Sequence, residues 1–137
     1  MSTKKRDATD FIVVHCTATP ADMDIGVEEI DRWHKERGWL GCGYHKVIRR
    51  DGTVENGRDI DTMGAHVRGF NSNSVGIALV GTDKFTSDQF SSLNKTIEDI
   101  LDLYPESKIL GHRDFPGVKK ECPGFDVEKW WYKQQEG

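Results

Sequence analysis

Two imidazoles and a thiol carry the chemistry that this sequence offers most plainly. His15 stands at the carboxyl end of the apolar run Phe11-Ile12-Val13-Val14, His112 lies just past Lys108 to Leu110, and Cys122 follows ten positions later, ahead of a Pro-Gly pair. Two histidines and a cysteine form a known donor set for catalytic zinc, which takes three protein ligands and keeps a fourth position open. A closed structural zinc site would need a fourth donor, and Cys16 is the nearest in sequence. Adjacent residues of an extended segment point to opposite faces, however, which turns Cys16 away from His15. An electron-transfer copper site uses the same three donors with a distant methionine. The methionines here are Met1, Met23 and Met63, none of which follows Cys122, and the strand and helix pattern is not all-β.

Bringing His15 and His112 together requires that their strands be neighbours, because ligands gather at the carboxyl ends of strands in α/β sheets. The β-branched run at 11–14 reads as a buried strand. From Asp24 onward Val27, Ile30, Trp33, His34 and Arg37 recur at helical spacing, with Gly38 as the stop. Tyr44 to Arg49, the Asp51-Gly52 turn and Thr53-Val54 read as a hairpin, and Ser74 to Val80 as a central strand. A second helix begins at a capping box formed by Thr86 and Gln89, flanked by the Phe85/Phe90 staple, and ends before Pro105. Lys108 to Leu110 forms a last short strand, and Asp126 N-caps a helix bearing Trp130 and Trp131. The order β, α, hairpin, β, α, β, α predicts an α/β fold: a single domain over residues 1–137 with a central mixed β-sheet flanked by helices, residues 1–9 forming a flexible tail.

The stretches DFIVVHCTAT (10–19), GWLGCGYHKVIRRDGTVENGR (38–58), GAHVRGFNSNSVGIALVG (64–81), GHRD (111–114) and KKECPGFD (119–126) resemble one family. It is the type-2 N-acetylmuramoyl-L-alanine amidases, whose superfamily includes the peptidoglycan recognition proteins; the likeness to the short phage amidases extends over nearly the whole chain. The resemblance implies one Zn2+ per chain on His15, His112 and Cys122, catalytic roles for Tyr44 and Lys120, and hydrolysis of the bond between the muramyl lactyl group and L-alanine in peptidoglycan. It also implies an alternative, since relatives on this fold include non-catalytic peptidoglycan binders and proteins that inhibit RNA polymerase. The start KKRDATD resembles the N-terminal region of the latter, making a cognate RNA polymerase a candidate partner.

Many zinc peptidases place a glutamate base in an HExxH helix, and this chain has none; His34-Lys35-Glu36 comes nearest. Tyr44 is the substitute expected to move a proton toward the leaving amine, its pKa drawn below about 10 by the metal's charge. Lys120 would set an ammonium against the oxyanion. His66, in a Gly-bounded loop, is expected to line the substrate groove with Asn71 and Ser74. His45 alternates away from Tyr44 into the core or behind the metal ligands, and His34 packs on the first helix. Lys46 departs from the family pattern, which has an apolar or aromatic residue there.

The 137 residues carry a formal net charge of −4, which excludes a generic grip on nucleic acid. Three cysteines do not make a disulfide framework. No segment reaches the ~20 apolar residues of a membrane span, and the N-terminus lacks a secretory signal. The expectation is a monomer without nucleic-acid or membrane partners, made in the cytoplasm and released by another agent to act on cell-wall peptidoglycan.

Overall fold

The computed structural model describes residues 4–118 and 122–136. Eight regular elements follow one another: β1 (Phe11–Cys16), α1 (Val27–Glu36), β2 (Lys46–Ile48), β3 (Val54–Asn56), β4 (Ser74–Leu79), α2 (Ser87–Leu103), β5 (Lys108–Gly111) and α3 (Val127–Glu136). The strands form one mixed sheet in the order β3-β2-β4-β1-β5. Only the β2–β3 hairpin is antiparallel; β1 pairs in parallel with both β4 and β5. The expected single-domain α/β architecture with a central mixed sheet is therefore observed. Several boundaries differ: β2 starts at Lys46, which leaves Tyr44 in the loop before it, β3 runs to Asn56, β4 ends at Leu79 and β5 reaches Gly111. β1 runs on through Cys16, because His15 and Cys16 pair with Ala78 and Leu79 of its neighbour β4, so His15 lies within the strand.

Alternation along β4 divides the molecule. Val75, Ile77 and Leu79 face a core shared with Ile12, Val14, Ile48, Leu93, Ile97, Ile100 and Val127, which seats α2 and α3 on that side. Ser74, Gly76 and Ala78 must face the other side. There Ala78 packs with Ile30 of α1, while the small side chains of Ser74 and Gly76 leave space that larger groups fill. His15, in register with Ala78, shares this second face.

The amino end of α2 is tied to the sheet by side-chain chemistry. Thr86 Oγ1 accepts the Gln89 amide N–H (3.1 Å) and donates to the Arg50 carbonyl (2.7 Å). Gln89 is fully buried, and its side chain reaches the Thr86 amide N–H and the carbonyls of Val80 and Ile48. The Phe85 and Phe90 rings meet edge to face at 6.1 Å, completing the expected staple. Thr86→Ala should therefore lower unfolding free energy by about 1–2 kcal/mol, the usual cost of a lost cap. A urea titration checks this, and an unchanged midpoint would remove the cap from the account of stability.

The segment expected to be a tail has defined contacts from Lys4 onward. Lys5 bridges to Asp61 at 2.7 Å, and Arg6 donates to the Ile60 carbonyl while lying over the Tyr104 ring. Among the described residues no helix is long and apolar enough to cross a membrane.

Candidate metal centre and active site

The parallel pairing of β1 with β5 determines the site. β5 ends at Gly111, and a short 3-10 turn (His112–Asp114) swings His112 over the end of β1. The His15 and His112 rings lie 4.5 Å apart between centroids. The Cys122 loop folds back across the same end, its sulfur accepting the Cys16 backbone N–H at 3.0 Å. One donor atom from each of His15, His112 and Cys122 falls within 4.8 Å of the others. Cys16 is not a member of this group, in keeping with the alternation that turns it to the other face.

These donors suit a zinc ion in kind as well as spacing. Zinc needs neutral imidazoles and an accessible sulfur. His15 is buried, and its pKa is pushed well below the ordinary value, first by burial and then by the positive charge that His66 and His112 would carry. A backbone N–H aimed at sulfur is the kind of outer contact that favours a thiolate.

Tyr44 stands beside this group, its ring 5.1 Å from that of His15. The loop that carries it is fixed on several sides. His34 Nδ1 accepts the Gly43 N–H (2.8 Å), Gly43 in turn accepts from the Ala65 amide (2.9 Å), and Arg58 Nε donates to the Cys42 carbonyl (2.9 Å). A side chain at Gly43 would strike the Ala65 carbonyl, so this close approach needs glycine. His34 thus packs on α1, as the helical stripe predicts, and also anchors the tyrosine loop. The phenol's pKa is raised by burial, and further by the negative charge that Cys122, Cys42 and Cys16 would carry as thiolates. The chain's own groups therefore act opposite to the downward pull expected of a metal.

The three residues expected in the substrate groove converge behind His15. His66 is buried, with Nδ1 2.9 Å from His15 Nε2 and Nε2 3.2 Å from Ser74 Oγ. Asn71 Oδ1 accepts the amide N–H groups of His66 (2.8 Å) and Val67 (3.0 Å). Nothing in the sequence brings His66 to His15 directly; the small-large alternation of SVGIAL signals only that bulky groups lie against Ser74 and Gly76. Lys120 lies outside the described residues. A separate groove lined by Lys46, Val54, Ser92, Lys95, Thr96 and Leu103 contains none of the candidate site residues.

His45 completes this layer. Its Nδ1 accepts the Gly76 N–H (3.0 Å), so Nε2 carries the hydrogen and donates it to the Thr62 carbonyl (2.7 Å). A second ring proton would break the first bond inside a sealed environment. Burial accordingly lowers its pKa from 6.5 to about 4, against the opposing hydrogen bond to Thr62. The unfolded chain gains this proton at higher pH than the folded one. Stability is therefore complete above about pH 6.5 and falls as pH drops toward 4, by on the order of 3 kcal/mol. The urea midpoint of the unaltered chain should fall more steeply over that window than that of His45→Gln; parallel curves would refute the assignment.

The sequence matches the N-acetylmuramoyl-L-alanine amidase family over residues 5–125. The chain belongs to that family. The endolysin of Enterobacteria phage K11 is 49% identical, the match covering 92% of this chain and 87% of that protein. Among solved structures, the N-acetylmuramoyl-L-alanine amidase LysC from Clostridium intestinale superposes with a TM-score of 0.86 at 30% identity, covering 99% of this chain and 90% of the other. Drosophila PGRP-LB gives 0.80 at 26% identity, over 94% and 83%. This amidase thus has the fold shared by endolysins and peptidoglycan recognition proteins, and its family supports a cell-wall amidase function.

Proposed function

We propose that this amidase is a zinc enzyme of the endolysin type that hydrolyses the amide between the lactyl group of N-acetylmuramic acid and L-alanine in peptidoglycan. The observation that carries the reading is the convergence of His15, His112 and Cys122 within 4.8 Å in a chain of this family. Zinc in such a site supplies an activated water and polarises the scissile carbonyl.

The remaining work falls to the chain. His15, held neutral by burial, offers a lone pair without first losing a proton. Tyr44 keeps its phenolic proton and delivers it from Oη toward the leaving nitrogen, the proton traffic that amide cleavage needs. Lys120, two positions before Cys122 in sequence, carries the positive charge for the developing oxyanion.

Incubation with purified peptidoglycan should release free stem peptides whose mass identifies an amide cut rather than a glycan cut. A chelator should stop the release and added zinc should restore it. A zinc-loaded protein that retains muropeptides but releases nothing would instead be a binder on this fold.

A further inference from the structure

We propose that Ser74, acting through His66, sets the tautomer of His15 and so dictates that His15 offers Nδ1, not Nε2, to the metal. The inference rests on the zinc reading above, and it assigns His66 and Ser74 as positioning residues rather than substrate contacts.

One group in this hydrogen-bonded chain has no choice of role. The Phe70 carbonyl can only accept, and Ser74 Oγ lies 2.7 Å from it, so the serine hydroxyl donates there. With its hydrogen used, Ser74 Oγ can only accept from His66 Nε2, at 3.2 Å. His66 therefore carries its hydrogen on Nε2 and has a bare Nδ1. That nitrogen lies 2.9 Å from His15 Nε2, which must then be the donor. The remaining nitrogen of His15, Nδ1, keeps its lone pair for the cluster with His112 and Cys122. The opposite tautomer of His15 would set two lone pairs against each other at His66 and leave a proton where a cation must bind.

The cavity around His66 is shaped to hold that ring. A Cβ at Gly76 would lie 2.7 Å from His66 Cγ and Nδ1, and one at Gly64 would lie 2.6 Å from His66 Cδ2. Neither glycine is in the left-handed region, so each serves clearance rather than backbone conformation. Asn71 fixes the His66 backbone from the other side. Outer partners of metal-binding histidines typically change metal affinity about 10–100-fold when removed.

The test uses the full chain, zinc-loaded and zinc-free, with long-range proton–nitrogen correlation NMR of the histidine rings and competition for Zn2+ against a chromophoric chelator. The expected result is hydrogen on Nε2 of both His15 and His66 in either state. Ser74→Ala should weaken zinc binding about 10–100-fold and give His66 a mixture of tautomers, whereas Ser74→Thr, which keeps the hydroxyl, should restore both. Gly76→Ala, which displaces the ring with the serine intact, should also weaken zinc binding. Hydrogen on His15 Nδ1 in the zinc-free chain, or unchanged zinc affinity in Ser74→Ala, would overturn the proposal. If the unaltered chain takes up no zinc, the zinc reading fails instead, and the zinc-free spectrum still decides the tautomer. Should Ser74→Ala fail to fold by circular dichroism, the unaltered chain's tautomers and Gly76→Ala carry the decision.

Discussion

Cys122→Ser is expected to lower turnover on peptidoglycan by on the order of 10³-fold or more, with the fold retained. A serine hydroxyl keeps its proton near neutrality and is a poor zinc donor, whereas a thiolate is a good one. Losing a Lewis acid worth several kcal/mol costs about tenfold per 1.4 kcal/mol. The substitution removes little packing, because Cys122 is only half-buried and lies in a loop. Its contact with the Cys16 N–H, at 3.0 Å, is one that an oxygen can also accept. The measurement is peptide release alongside zinc content by elemental mass spectrometry. Activity within tenfold of the unaltered chain would remove Cys122 from the ligand set. Retention of muropeptides by the silent variant would separate binding from cleavage.

Tyr44→Phe should lower kcat by about 10²–10⁴-fold, the usual contribution of a positioned proton donor, while zinc content and KM stay close to their original values. The ring remains, and the loop is held by backbone contacts at Gly43 and Cys42 rather than by the phenol. Burial raises the phenol's pKa, so in the proposed mechanism the variant lacks a proton donor. Its activity should therefore not recover at alkaline pH. A variant retaining activity within a few-fold would show that the tyrosine moves no proton. Loss of zinc would reassign Tyr44 to metal retention.

Several features of this architecture could be read from local chemistry alone. The α2 capping box and staple depend on residues at most five positions apart, and they formed as expected. The hairpin followed from Asp51-Gly52, where Gly52 has φ +90°. The two histidines and the cysteine were recognisable as a donor set, but their meeting depends on β1 lying between β4 and β5, a pairing that periodicity does not specify. The same holds for the boundary of β1, which is extended by its partner rather than by its own propensity. His66 is the least legible of these residues in the sequence. A Gly-bounded polar loop reads as surface, and only the three-dimensional contact with Ser74, Gly76 and His15 draws it inside. Tyr44's raised pKa likewise comes from burial among residues distant in sequence.

The Cys16–Cys122 contact spans 106 positions, and it carries a consequence for when the enzyme becomes active. A ribosome that has delivered β1, β4 and α2 has not yet delivered Cys122. Contacts of such long range are also among the last to be stabilised as a chain folds, since closing a large loop is unfavourable until the sheet is in place. Nascent or prematurely terminated chains are therefore expected to be silent toward the wall of the cell that makes them. Latency of this kind would be built into the order of synthesis.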